Sequence, residues 1–76
     1  MRDLAIWNKR LRKAREAMGL SLSGAVNLLY EQHKIKMHKA NLGKVERSES
    51  ELPVGKFRAL CDIYSVDPNW ILDLKE

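Results

Sequence analysis

The sequence predicts an all-α protein, a compact five-helix domain that spans residues 1–76. Apolar residues recur with helical spacing along the whole chain, and no stretch alternates between apolar and polar residues as a half-buried strand does. Glycine, proline and N-cap residues divide the pattern at short intervals, so the helices must be short. A single domain of this length buries roughly 60% of the surface of its unfolded chain, which is enough for one small core.

The first two helices are predicted from apolar stripes and the residues that separate them. The first stripe has i, i+3/i+4 spacing and consists of Leu4, Trp7, Leu11, Ala14 and Met18. Gly19 is a typical helix stop, and Ser21 offers an N-cap for a second helix at about 21–32. The second helix continues the pattern with Leu22, Ala25, Val26 and Leu29.

A basic connector, residues 33–37, leads to a third helix at about 38–47 that has two different sides. At about 100° per residue, one side carries two apolar residues and an acid, Leu42, Val45 and Glu46. The opposite side carries a small residue and two cations, Ala40, Lys44 and Arg47. This pattern indicates a helix that buries one side and presents small and basic groups on the other.

Start signals place the last two helices. Pro53 fits the first turn of a fourth helix, whose apolar side is Val54, Phe57, Leu60, Cys61 and Tyr64. Asp67 is the predicted N-cap of the fifth helix, Pro68 its first residue, and Val66 is placed to pack against Ile71. The side of the fifth helix predicted to face the core consists of Trp70, Ile71 and Leu74.

Charge is distributed unevenly along the chain. Residues 1–47 carry eleven Lys and Arg against four Asp and Glu, whereas residues 48–76 carry three against six. A basic front half suits a module that offers one face to phosphates. No apolar run approaches the roughly 20 residues that span a bilayer, and no signal peptide pattern opens the chain. Cys61 is the only cysteine, which fits a reducing compartment.

The sequence offers little for catalysis, metals or cofactors, and we expect none of the three. Cys61 falls on the apolar side of its helix, where cysteines are usually inert. One cysteine and two distant histidines, His33 and His38, do not supply the ligand spacing of a zinc site. No Gly-rich phosphate loop or serine elbow is present. The chain is therefore not expected to be an enzyme.

Three segments resemble the helix-turn-helix domain of the lambdoid phage repressor and Cro family. Leu11-Arg-Lys-Ala-Arg-Glu-Ala-Met-Gly-Leu-Ser21 resembles the first helix and the turn that follows it. Leu42-Gly-Lys-Val-Glu46 resembles the end of the recognition helix, and Val66-Asp-Pro-Asn-Trp-Ile-Leu72 the last helix. The resemblance covers nearly all of residues 4–74. It implies that the second and third helices form a helix-turn-helix whose third helix enters the major groove of DNA.

The resemblance also implies roles for particular residues. In the family an arginine of the first helix pairs with a glutamate near the end of the third, and the matching residues are Arg15 and Glu46. Because Glu46 is on the inward side, a bidentate guanidinium is its natural partner. The implied base-reading residues are Lys39, Ala40, Asn41 and Lys44. The implied phosphate contacts are Arg10, Lys13, Ser23, Lys34, Lys36 and Arg47, with the N–H groups at the start of the second helix.

The chain departs from the family pattern in three places. The connector between the second and third helices is longer than the usual turn of about 3–4 residues. Leu22 replaces the polar amide that often begins the second helix. Glu49 and Glu51 are acids in a loop that often approaches the DNA backbone in the family.

The resemblance implies a transcriptional regulator, most simply a phage or prophage repressor. Its partner would be double-stranded operator DNA, bound by a homodimer at a pseudo-palindrome in the cytoplasm of a bacterial or phage-infected cell. An alternative is a protein-interaction module such as an antitoxin, with an exposed apolar patch formed by Met18, Leu22 or Met37.

Overall fold

The computed structural model describes residues 6–73, and in this range the chain forms five α-helices and no strand. The helices are α1 (Ile6–Ala17), α2 (Leu22–His33), α3 (Lys39–Glu46), α4 (Val54–Tyr64) and α5 (Pro68–Leu72). The predicted all-α class and the order of the five helices are confirmed. Pro53 is the N-cap of α4, one residue before the position predicted for it. In the described part of the chain, no helix is both long enough and apolar enough to cross a membrane.

Two of the predicted helix starts have hydrogen-bonded caps. The Ser21 hydroxyl accepts a hydrogen bond from the backbone N–H of Gly24 at 3.0 Å, which satisfies one of the unpaired donors at the start of α2. The Asp67 carboxylate accepts one from the N–H of Asn69 at 2.9 Å, and Pro68 occupies the first position of α5. These local interactions explain why both helix starts could be predicted from sequence.

The core takes at least one fully buried side chain from every helix. The largest of these side chains belong to Leu11, Leu29, Leu42, Val45, Leu60 and Ile71. Helix α1 packs against α3, α4 and α5, and α2 packs against α3 and α4. The connector between α2 and α3 is residues 34–38, and its Ile35 and Met37 pack against the core. The connector is therefore held by its own apolar residues.

Three residues predicted on the apolar sides of their helices are largely exposed. Val54 is 81% exposed, because it is the first residue of α4. Met18 lies in the turn after α1 with 48% of its surface exposed, because α1 ends at Ala17. Trp70 is 42% exposed, because α5 is too short to bury both Ile71 and the residue beside it. Val66 and Ile71 belong to the same apolar cluster. The predicted core residues Leu4 and Leu74 lie outside the described residues.

Candidate nucleic-acid interface

The inner side of α3 is anchored by the ion pair between Arg15 and Glu46. Arg15 Nε donates to Glu46 Oε2 at 2.8 Å and Arg15 Nη2 donates to Oε1 at 3.0 Å, so the pair is bidentate, as predicted. Arg15 Nη1 donates to the carbonyl oxygen of Leu20 at 2.7 Å. The hydrogen bonds that Arg15 donates to Glu46 raise the pKa of Arg15 above its usual value, so the guanidinium stays charged although it is buried. One side chain thus connects α1, the following turn and the end of α3.

Two further polar residues surround this anchor. The buried Asn8 side chain of α1 donates to the carbonyl oxygen of Val45 at 2.6 Å, which gives a second link between α1 and α3. The hydroxyl of Tyr64 is buried and has no hydrogen-bond partner among the described residues. Burial raises the pKa of Tyr64, and the negative charge of Glu46 raises it further. The inner side of the end of α3 is therefore buried and has little access for water.

The outer side of α3 forms one wall of a shallow concave surface, and the start of α2 forms the other. We call this surface the α2–α3 groove; its lining residues are Ser21, Leu22, Ser23, Lys39, Ala40, Gly43, Lys44 and Arg47. Three of these residues are cations, and no acid lines the groove. The N–H groups of Leu22 and Ser23, the first two of α2, have no acceptor within the helix and lie at its positive end.

Gly43 of α3 faces Leu22 of α2 across the groove. A Cβ atom added at Gly43 would lie 3.5 Å from Cδ1 of Leu22 and 3.2 Å from Nη1 of Arg47. Leu22 is half-buried and packs against the core. An apolar residue at the start of α2 therefore has a structural reason in this chain, because its side chain packs against the core.

The structure brings together five of the ten predicted DNA-contacting residues in the α2–α3 groove. They are Ser23, Lys39, Ala40, Lys44 and Arg47. Asn41 is half-buried and does not line the groove, in keeping with its position on the flank of α3. Lys13 is exposed on α1. The DNA contacts of Asn41 and Lys13 stay predictions, because neither residue lines the groove and nothing in the structure contradicts such a contact.

The two lysines of the connector belong to a neighbouring surface. Lys34 Nζ lies 5.5 Å from the ring centroid of Tyr30, a distance typical of a cation–π contact. Lys36 lines a second shallow concavity together with Tyr30 and Met37. Of the residues that the protein-interaction alternative invoked, Met37 and Leu22 are partly buried against the core, and Met18 is exposed.

Arg10, the remaining phosphate candidate, is engaged with α5. Its guanidinium donates to the carbonyl oxygen of Trp70, lies 4.9 Å from the centroid of the Trp70 ring, and is 3.5 Å from a carboxylate oxygen of Asp73. This guanidinium joins α1 to α5 and covers the ring that the core does not bury. We therefore assign it a structural contact and do not include it in the candidate interface.

Within residues 6–73, the cysteine and histidine side chains are not assembled into a catalytic or metal site. Cys61 is buried, and loss of solvation raises the pKa of its thiol to about 11, so it is protonated and unreactive at neutral pH. His33 Nε2 lies 3.0 Å from an oxygen of Asp62, an exposed contact between α2 and α4. Among residues 6–73, no group of three or more His, Cys, Asp or Glu side chains is placed to hold a metal ion.

The buried hydrogen bond of Asn8 was not predicted from the sequence. Asn8 precedes Leu11 and Arg15 by three and seven residues, so all three lie on the same buried side of α1. A polar residue at that spacing is a signal for a buried hydrogen bond, although its acceptor, a backbone carbonyl of α3, is visible only in the fold.

Comparison with models of known protein families, with curated proteins and with solved structures gave no match. The function is therefore inferred from the site itself. A concave surface with three cations, two free N–H donors and no acidic lining residue is chemically suited to a polyanion with regularly spaced phosphates.

Proposed function

We propose that this chain is a sequence-specific, double-stranded DNA-binding regulator of transcription, most simply a repressor of the phage repressor or Cro type. The observation that carries the proposal is the α2–α3 groove, in which the positive end of α2 shares one surface with Lys39 and Lys44 of α3 and with Arg47, the C-cap of that helix. The resemblance of three sequence segments to the lambdoid repressor and Cro family supports the same conclusion.

The architecture around the groove supports a reading role for α3. The helix is held from behind by the Arg15–Glu46 pair and by Asn8, while Lys39, Ala40 and Lys44 are exposed on its outer side. Anchors of this kind fix the backbone of α3, and a site built on a fixed helix is more precise than one built on a loop, which favours specific contacts. In the proposal Lys44 donates to the O6 and N7 atoms of a guanine and Ala40 contacts a thymine methyl group.

Phosphate contacts complete the proposed complex. The N–H groups of Leu22 and Ser23 and the guanidinium of Arg47 lie at the edge of the groove, where they would bind the DNA backbone and orient α3. The proposal includes a homodimer on a pseudo-palindromic operator, with half-sites about one helical turn apart. It also includes a cytoplasmic location, since the regulated DNA is there.

A titration of labelled duplex DNA at several salt concentrations tests the proposal. Each phosphate neutralised contributes about −0.9 to the slope of log affinity against log salt. Arg47 is the cationic phosphate contact proposed in the groove, so a homodimer that engages it in both protomers should give a slope of about −1.8 or steeper. A flat salt response, or no binding at low salt, would contradict DNA binding and favour the protein-interaction alternative.

Selection of bound duplexes from a random library then tests the role of Lys44, with Lys44→Ala compared against Arg58→Ala. Both residues are exposed and both changes remove one positive charge, but Arg58 lies on α4, outside the groove. We expect Lys44→Ala to weaken binding to the selected sequence by about tenfold or more and to relax preference at one base pair. Arg58→Ala should leave the base preference unchanged and should lower the affinity only by the small amount expected for the loss of one distant charge.

Two outcomes of this comparison would revise the assignment. If Lys44→Ala weakens binding equally for every sequence, Lys44 contacts a phosphate and does not read a base. If both variants behave alike, the groove is not the binding surface. A symmetric selected consensus would support the proposed dimer, whereas a single half-site would contradict it.

A further inference from the structure

Arg47, at the end of α3, forms an ion pair with an acid that follows it in the chain. Arg47 Nε donates to Glu49 Oε2 at 2.9 Å. Glu49 is the hydrogen-bond partner of this guanidinium among the residues that the structure describes. Both side chains are more than half exposed, 56% for Arg47 and 53% for Glu49. An exposed pair of this kind is weak and exchangeable.

The backbone places Glu49 beside Arg47. Ser48 has a φ of +64°, its N–H donates to the carbonyl oxygen of Val45 at 3.0 Å, and the N–H of Glu49 donates to that of Lys44 at 2.8 Å. These bonds form a Schellman motif, which reverses the chain at the end of α3. The position of the carboxylate therefore follows from the ordered backbone of the helix end.

The paired guanidinium already lies in the α2–α3 groove. Its Nη1 atom rests against Gly43, 3.2 Å from where a Cβ atom would be, and the residue lines the groove together with Ser23 and Lys44. The Glu49 carboxylate thus occupies the Nε side of a guanidinium that lines the groove. A phosphate that approaches the groove has to compete with Glu49 for the same cation.

We propose that Glu49 is an intramolecular counter-ion that occupies Arg47 and weakens DNA binding, and that Arg47 exchanges this carboxylate for a phosphate when duplex DNA binds. The inference rests on the proposed function. It identifies Glu49 as a residue that limits affinity through its pairing with Arg47 and not merely through the negative charge it adds to the domain.

The test compares Glu49→Gln with Glu51→Gln, using a fluorescein-labelled duplex of mixed sequence at low salt. Both residues are exposed acids in the same loop, and each change removes one negative charge. Because an exposed ion pair contributes little free energy, the gain in affinity should be small. We expect Glu49→Gln to bind the duplex about two- to fivefold more tightly than the natural chain. The gain should shrink at higher salt because the pair is screened. Glu51→Gln should gain less than Glu49→Gln.

The same measurement in an Arg47→Ala background separates pairing from simple charge repulsion. If Glu49 acts through Arg47, the change Glu49→Gln should lose most of its effect when Arg47 is absent, a non-additivity characteristic of directly interacting residues. Circular dichroism of each variant verifies that the fold is retained. An equal gain in both backgrounds, or equal gains from Glu49→Gln and Glu51→Gln, would overturn the inference.

The proposed function can fail independently of this inference. If the natural chain binds the duplex with a steep salt dependence and the glutamate variants behave alike, DNA binding stands and the counter-ion role is wrong. If neither the natural chain nor any variant binds the duplex at low salt, both proposals are wrong.

Discussion

Two arginine–glutamate pairs lie at the end of the same helix and have opposite characters. Arg15 and Glu46 are 10% and 4% exposed and form a bidentate pair, whereas Arg47 and Glu49 are more than half exposed and share one hydrogen bond. Removing one member of a buried pair strands a charge away from water, but removing one member of an exposed pair leaves a charge that water can solvate. Burial thus makes the first pair a structural anchor and leaves the second available for exchange.

The inner and outer sides of α3 also differ in burial. The inner side is fixed by Arg15 and by the hydrogen bond from Asn8 to the carbonyl of Val45. The outer side presents Lys39, Ala40 and Lys44 without a tertiary partner that would fix them. A surface built on a fixed helix holds its residues more precisely than a surface built on a loop.

The largest effect should come from breaking the buried pair. We expect Glu46→Ala to lower the free energy of unfolding by about 3–5 kcal/mol, because Arg15 keeps its charge and loses both carboxylate bonds. Denaturant unfolding measures this loss. The matched change Glu49→Ala should alter stability by no more than about 1 kcal/mol, as is typical of an exposed pair.

Two results would contradict this contrast. Equal losses from Glu46→Ala and Glu49→Ala would mean that burial does not distinguish the pairs. A double variant of Arg15 and Glu46 that loses the full sum of the two single changes would mean that the side chains are not energetically coupled, since interacting residues are non-additive.

A smaller effect should appear at alkaline pH through Tyr64, beside the buried pair. Its pKa is raised above the usual value of 10, chiefly by burial, so the folded state holds the phenolic proton more tightly than the unfolded state does. The contribution of Tyr64 to stability is therefore complete below pH 10 and is lost as the pH rises above it, by up to about 1.4 kcal/mol per pH unit.

Tyr64→Phe isolates this contribution. Because the hydroxyl has no hydrogen-bond partner, we expect the variant to be about as stable as the natural chain at pH 7. Between pH 10 and 11 it should lose less stability than the natural chain, as measured by denaturant unfolding at each pH. Cys61 contributes to the alkaline loss in both proteins, because its pKa is raised to about 11. Parallel pH profiles would mean that the environment of Tyr64 is not closed to water.

The sequence predicted those features that depend on local signals or on one buried stripe. The caps at Ser21 and Asp67 are properties of a few consecutive residues. The resemblance identified Arg15 as the partner of Glu46, and the inward position of Glu46 gave the pair a physical reason. The sequence also predicted that Ala40 and Lys44 lie on the outer side of α3, because the helical period determines which residues share a side.

Other contacts could not be predicted because they depend on packing. The engagement of Arg10 with Trp70 and Asp73 requires α5 to lie against α1. The Arg47–Glu49 pair requires a left-handed residue at Ser48, a position where glycine or asparagine is the usual signal. The departure of Leu22 from the family pattern is explained by its packing against the core, which depends on the tertiary fold.

The central claim, that duplex DNA binds in the α2–α3 groove, is tested most directly by titrating the ¹⁵N-labelled chain with duplex DNA and following amide chemical shifts. The claim predicts that the largest shifts occur at Leu22, Ser23, Ala40, Gly43 and Lys44, while α4 and α5 change little. Shifts centred on α4 and α5, or no shifts at low salt, would contradict it.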